Sequence, residues 1–241
     1  MMPGTALPFD FNRESLMADA SGALYWPDQK TLVVADLHLE KGSSYAKKGS
    51  HLPPYDSRET LRRLALAIDA YGPTRVICLG DSFHDDDAAG RLPDEDRNTL
   101  QAMTNAMDWI WIAGNHDPAP PAGIDGLTTA EFRAGDLIFR HEARKGTSPG
   151  EVSGHFHPKA GVSARGRRVT GRCFVADGKR LILPAFGAYT GGLDVHDPAI
   201  ESLLQDKYTV LICGRARVHR IPREVVRRRA EAEEARQPRL I

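Results

Sequence analysis

Short apolar runs rich in β-branched residues, each stopped by a glycine, an aspartate or a histidine, recur along the first half of this chain. The clearest are TLVVA at 31–35, RVICL at 75–79, WIWIA at 109–113 and LIF at 137–139. Runs this short, bounded by turn residues, read as strands covered on both faces rather than as helices. Between the first two, residues 56–70 place Leu61, Leu64, Ala65 and Ile68 at helical spacing, and a weaker helical pattern runs from 93 to 107. Strand, helix, strand, helix, strand predicts an α/β unit whose strands are joined by crossover helices.

The second half changes character. Residues 172–176 and 180–183 flank an Asp177-Gly178 turn, and 208–213 and 215–221 flank Gly214, which predicts hairpins. Residues 24–26 pair in the same manner with 31–35. Mixed sheets follow, α/β first and antiparallel strands later. With 241 residues and no repeat or long linker, the expectation is one domain over 1–221 and a charged tail over 222–241, helical from Pro222 to about Arg236.

Bulk properties exclude more than they assign. The 32 basic and 32 acidic residues cancel, so overall charge draws the chain to neither nucleic acid nor membrane. Cys78, Cys173 and Cys213 form no C-x-x-C pair and sit in apolar runs as small hydrophobes. No basic-then-apolar leader opens the chain, and no run approaches the ~18 apolar residues of a membrane helix. A cytoplasmic protein is expected, without membrane association.

The polar residues at the run ends carry the chemistry. Asp36 and His38 follow the first run; Asp81 follows the second and Gly80; Asn115-His116-Asp117 follow the third and Gly114. His141 follows the fourth, and His155 and His157 come after Gly154. Ligands of open α/β sheets bind outside the carboxyl ends of strands, so five such ends point to one site. Asp36, His38, Asp81, Asn115, His141, His155 and His157 are too many donors for one tetrahedral ion and suit two metals sharing a carboxylate. Mixed carboxylates and imidazoles favour manganese, iron or zinc over calcium or magnesium. No nucleotide-binding glycine fingerprint and no HExxH occurs.

The ordered set D-L-H at 36–38, G-D-S-F-H at 80–84, G-N-H-D at 114–117, His141 and G-H-F-H at 154–157 resembles the calcineurin-like metallophosphoesterases. GDSFHD and GHFHP resemble more narrowly the ligase-associated DNA-damage-response endonuclease subfamily. The resemblance implies a four-layer α/β/β/α sandwich with two mixed sheets. It implies two divalent ions, preferably manganese, and hydrolysis of phosphodiesters by in-line attack of a metal-bridging hydroxide. Asp36, His38, Asp81 and His157 would hold one ion, and Asp81, Asn115, His141 and His155 the other. His116 would contact the phosphate and assist the leaving group, with Asp117 orienting it.

Several readings stay open at this level. His84 either lines the site and selects substrate or is an exposed loop histidine, and Arg144 is a further substrate-binding candidate. Basic residues crowd 140–180, from Arg140, Arg144 and Lys145 through Lys159 and Arg172 to Arg180, and form either a rim for a polyanion or a solvated surface. Arg227-Arg228-Arg229 could extend such a rim, but the interspersed Glu231, Glu233 and Glu234 favour a plain solvated helix. The phosphate-ester substrate is expected to be DNA or RNA, with DNA-repair proteins as partners. The alternatives are a small-molecule phosphoesterase acting on a nucleotide or lipid headgroup, and a metal-binding scaffold without catalysis. His51, His196 and His219 are isolated and read as packed or surface histidines.

Overall fold

The structure, a computed structural model, describes residues 4–47, 49, 55–85, 87–116, 123–146, 149–164 and 167–226. The first sheet has seven strands in sequence order: β1 (Leu7–Phe11), β2 (Glu14–Ala18), β3 (Leu24–Trp26), β4 (Thr31–Val34), β5 (Arg75–Cys78), β6 (Asp108–Ile112) and β7 (Leu127–Thr129). Its first four strands meander antiparallel, and β4 to β7 run parallel. Helices α1 (Lys41–Lys47) and α2 (Asp56–Tyr71) cross from β4 to β5. Helices α3 (Ala88–Arg91) and α4 (Asp94–Ala106) cross from β5 to β6.

The predicted strands and helices over 31–112 appear within a residue or two of their expected bounds, because both faces of this sheet are covered. Leu32, Val34, Val76, Cys78, Trp109 and Trp111 face Leu61 and Leu64 of α2 and Leu100 and Met103 of α4. The alternate residues Val33, Ala35, Ile77, Leu79, Ile110 and Ile112 face the second sheet. A strict period of two on strands that are apolar throughout is what a doubly covered sheet requires.

The second sheet is built from β8 (Glu131–Ala134), β9 (Leu137–Arg140), β10 (Glu151–Ser153), β11 (Lys159–Ala164), β12 (Arg167–Ala176), β13 (Arg180–Ile182), β14 (Thr209–Cys213) and β15 (Val218–Pro222). Its path runs β15-β14-β12-β13-β10-β9-β8, with β11 paired to β12. Only β9, β10 and β13 run parallel to one another, so this sheet is mixed as well. Leu137, Phe139, Val152, Phe174, Leu181 and Leu211 fill the space between the sheets. Burying a side chain of this size is worth about 1.5–3 kcal/mol.

On the outer face, Cys173, Val175, Val210 and Ile212 pack with Tyr208, Val195 and Val226. Among the described residues, the helical part of the cover there is the one-turn helix α5 (Pro198–Glu201). The α/β fold with two mixed sheets is thus present. Several elements escaped the sequence reading, among them β7, β8, α1, the β1–β2 hairpin and β11. The β1–β2 hairpin turns on Asn12 and Arg13, both at positive φ, and neither residue pair advertises a glycine turn. Strand β11 contains Gly161 and small residues that weaken its pattern.

The predicted hairpins 172–183 and 208–221 are present. Strand β15 continues to Pro222, a single 3-10 turn follows at Arg223–Val225, and the remainder of the proposed tail helix, with Arg227-Arg228-Arg229, lies outside the described residues. Cys78 and Cys173 are buried free thiols and Cys213 is partly buried. No described helix is long and apolar enough to cross a membrane.

Candidate metal centre

The carboxyl ends of β4, β5, β6, β9 and β10 gather at one edge of the sandwich. The loops after β4 and β5 share a backbone ladder there: Asp36 N–H donates to the Gly80 carbonyl at 3.3 Å, His38 N–H to Asp81 at 2.9 Å and Leu39 N–H to Ser82 at 2.9 Å. The ladder persists although Asp36, His38, Asp81, His155 and His157 all adopt positive φ, between 46° and 71°. Non-glycine residues avoid that region, and clusters of them mark sites where packing holds a strained backbone for function. Here the strain turns each side chain inward.

Glycines make the closeness possible. A Cβ on Gly80, at φ +77°, would lie 2.5 Å from Nδ1 of His141, and one on Gly154 would lie 2.6 Å from Oδ2 of Asp36. Both contacts are shorter than real side chains tolerate.

Two groups of potential ligands result, Asp36 with His38 and His157, and Asp81 with His141 and His155. In the first, His157 Nε2 lies 3.4 Å from Asp36 Oδ1 and 3.3 Å from His38 Nε2. In the second, His141 Nε2 lies 3.4 Å from Asp81 Oδ1, 3.0 Å from His155 Nδ1 and 2.8 Å from Asn115 Oδ1. Asp81 faces both groups, because its Oδ2 stands 4.0 Å from His38 Nε2. All seven sequence-derived candidates therefore converge.

Electrostatics fit cations at this place. Asp36 and Asp81 are 0% and 3% exposed, yet among the described residues their only ion-pair partners are histidines. Buried carboxylates without a lysine or arginine partner call for another positive charge. His141 donates from Nδ1 to the Leu79 carbonyl at 2.8 Å, so Nε2 presents a lone pair toward the oxygens of Asn115 and Asp81. A proton or a metal cation between these atoms satisfies them, and the donor set suits a metal. Burial, then the positive neighbours His157 and Lys41, hold His38 down at about 2, and burial also lowers His155. Both rings stay neutral at ordinary pH and can ligate without first losing a proton.

His116 stands at the open side. Its ring donates from Nδ1 to the His84 carbonyl at 3.0 Å, leaving Nε2 3.9 Å from Asp81 Oδ2, and its backbone N–H donates to Asp81 Oδ1 at 3.0 Å. Asp117, the expected orienting group, lies outside the described residues. The His84 carbonyl was not foreseen, since no side-chain pattern signals a main-chain acceptor. The His84 ring itself stacks on His116 with centroids 5.5 Å apart and packs beside Tyr45 and His38, which puts it at the site. Glu40 was also missed. It is buried, and its carboxylate accepts from Ser43 and Ser57, fastening the loop after β4 to α1 and α2.

The basic stretch 140–180 divides. Arg140 and Arg180 are buried against Glu151, at 3.1 and 3.4 Å, so they are structural and not part of a rim. Arg144 lies on the exposed loop after β9, its backbone N–H donating to Glu151. His196 is a packed histidine with Glu201 and the Val226 carbonyl at its two ring nitrogens, His219 is exposed on β15, and His51 lies outside the described residues.

Comparison with known proteins agrees with this geometry. Residues 29–180, more than half of the chain, match the family model for calcineurin-like phosphoesterases, and the chain belongs to that family. The crystal structure of Pseudomonas putida nuclease MPE is similar at 29% identity and a TM-score of 0.67, covering 89% of this chain and 100% of that one. YfcE, a phosphoesterase from E. coli, is similar at 14% identity and a TM-score of 0.40, covering 80% of this chain and 98% of its own. No curated protein sequence matches. Family membership makes the chain a phosphoester hydrolase with two candidate metal-ligand groups.

Proposed function

We propose that the protein is a dimetal-dependent phosphodiesterase that cleaves nucleic acid. The observation that carries the chemistry is Asp81, whose carboxylate faces both ligand groups while it accepts the His116 backbone. Full-length similarity to a nuclease supports the substrate class.

In this reading Asp36, His38, Asp81 and His157 hold one divalent ion, and Asp81, Asn115, His141 and His155 the other. Such a pair supplies an activated water and neutralises charge on the phosphate. The chain's own residues do the rest. His116, pinned through Nδ1, presents Nε2 to a bound phosphate and can pass a proton to the leaving oxygen, a contribution of about 10²–10⁴-fold. The His84 ring fixes the plane of His116 by stacking. Burial of the carboxylates keeps the electrostatics strong. Manganese is the preferred metal, with iron and zinc as alternatives, and a place in DNA repair follows from the subfamily resemblance.

The test is a metal-reconstituted assay. Protein stripped with chelator and reloaded with manganese, iron or zinc is given bis-p-nitrophenyl phosphate, p-nitrophenyl phosphate and labelled single-stranded DNA. Turnover of the diester and of DNA, lost in His116→Ala with both metals retained, is the expected result. Monoester turnover alone would instead make the protein a phosphatase. Metal binding without turnover on any substrate would favour the scaffold.

A further inference from the structure

Beside the first ligand group lies a cavity of about 300 Å³ whose lining includes His157, Lys159, Thr170, Arg172 and Thr190. His157 belongs to both the cavity and the ligand group. The lining carries two cations and no acidic residue. Among the described residues neither Lys159 nor Arg172 has a carboxylate at ion-pair distance, although Arg140 and Arg180 nearby in sequence both do.

Arg172 is only half committed. One guanidinium nitrogen donates to the Ala185 carbonyl at 3.4 Å, and the group packs against Gly22. Asp19, the acid that acts on it electrostatically, is already engaged by Thr5, Ser21 and Tyr71. Two further cations feel this charge. Burial and the positive charge of Lys159 lower Lys41 although Asp56 acts the other way, and burial together with Arg172 holds Arg63 at about 10. Two cations lining one cavity, without an acidic residue in that lining, form an anion site that the hydrolysis of a single phosphodiester does not use.

We propose that this cavity holds a second phosphate of a polynucleotide backbone, displaced from the phosphate at the ligand groups, with Lys159 and Arg172 as its cationic contacts. The proposal rests on the phosphodiesterase reading of the site. A substrate with phosphates repeated along its chain reaches both places at once, and contacts of this kind set register without reading sequence.

The experiment separates binding from turnover. Fluorescence anisotropy with a labelled single-stranded oligonucleotide measures affinity of the full-length, manganese-loaded His116→Ala protein over a salt series. Lys159→Gln and Arg172→Gln are introduced singly into that background and into the parent. Each is expected to weaken oligonucleotide binding about 10-fold at low salt and to reduce the log–log salt slope by about 0.7, the value for one lost single-strand phosphate contact. In the parent background, bis-p-nitrophenyl phosphate turnover is expected to fall far less than oligonucleotide affinity. Lys159→Gln guards against a folding defect in the Arg172 variant, whose guanidinium also donates to the Ala185 carbonyl. Unchanged affinity and slope in both variants would overturn the proposal, as would equal losses on the diester and the oligonucleotide. Salt-dependent binding that needs these residues, in a protein that cuts no nucleic acid, would keep the cavity and remove the nuclease assignment. Absence of oligonucleotide binding would remove the proposal while leaving diester hydrolysis intact.

Discussion

His141 donates from Nδ1 to the main-chain carbonyl of Leu79 at 2.8 Å, and this one bond decides that Nε2 faces Asp81 and Asn115. The acceptor belongs to the last apolar residue after β5, and Gly80 follows it directly. The end of a strand in the first sheet thereby sets the tautomer of a histidine carried by the second.

Gly80→Ala should break that arrangement, because its Cβ would meet the His141 ring at 2.5 Å. At least a ~10-fold loss of affinity for one of two manganese ions is expected, the scale of a disturbed supporting contact. Gly178→Ala is the control, since Gly178 also has positive φ but open space around it. It should cost about 1 kcal/mol of stability and leave metal affinity alone. Calorimetric manganese titration of both variants checks the contrast.

Asp81→Asn removes the charge shared by both ligand groups. Metal content is expected to fall from two ions to one or none, and kcat/KM on bis-p-nitrophenyl phosphate by more than ~100-fold, beyond the range for losing a residue that only supports a ligand. Elemental analysis beside the assay tests it. Two retained ions with full turnover would show that the carboxylate is not shared.

Glu151 is 0% exposed and lies between Arg140 and Arg180. Glu151→Ala leaves two guanidinium groups without that carboxylate, and stability should fall by about 3–5 kcal/mol. Urea denaturation of the metal-free protein measures this. The residual contact of Arg140 with Glu131 places the cost toward the lower end.

Acid stability should report on Asp19. Burial alone would raise its carboxyl, but hydrogen bonds from Ser21, Thr5 and Tyr71 outweigh burial and hold it below 3.8. At acid pH the unfolded chain therefore binds more protons at this position than the folded one. Its contribution is present above the unfolded value and is lost as pH falls through the folded one. Asp19→Asn should cost about 1–3 kcal/mol at neutral pH, and the gap to the parent should close below about pH 4. Denaturation midpoints between pH 3 and 7 follow it.

Much of the centre was legible in the residues. Each ligand follows an apolar run, and the runs predict strands because TLVVA and WIWIA are short, rich in β-branched or aromatic residues and stopped by turn residues. What was not legible depends on approach between distant segments. The Arg140 and Arg180 charges looked like part of a basic rim until Glu151, from the strand between them in the sheet, was seen to bury both. Lys159 and Arg172 carry the same sequence signal and remain without a carboxylate partner among the described residues.

By itself, then, the sequence determined the alternation of strands and helices in the α/β half, the site's position at strand ends and the seven convergent donors. These follow from local periodicity and from the chemistry of individual side chains. Tertiary structure alone decided which ring nitrogen of His141 points inward, that a carbonyl of residue 84 pins His116, and which arginines are buried and which line a cavity. Those properties belong to pairs of atoms brought together from opposite sheets, where main-chain acceptors and buried carboxylates act at hydrogen-bond distance and leave no mark in local residue patterns.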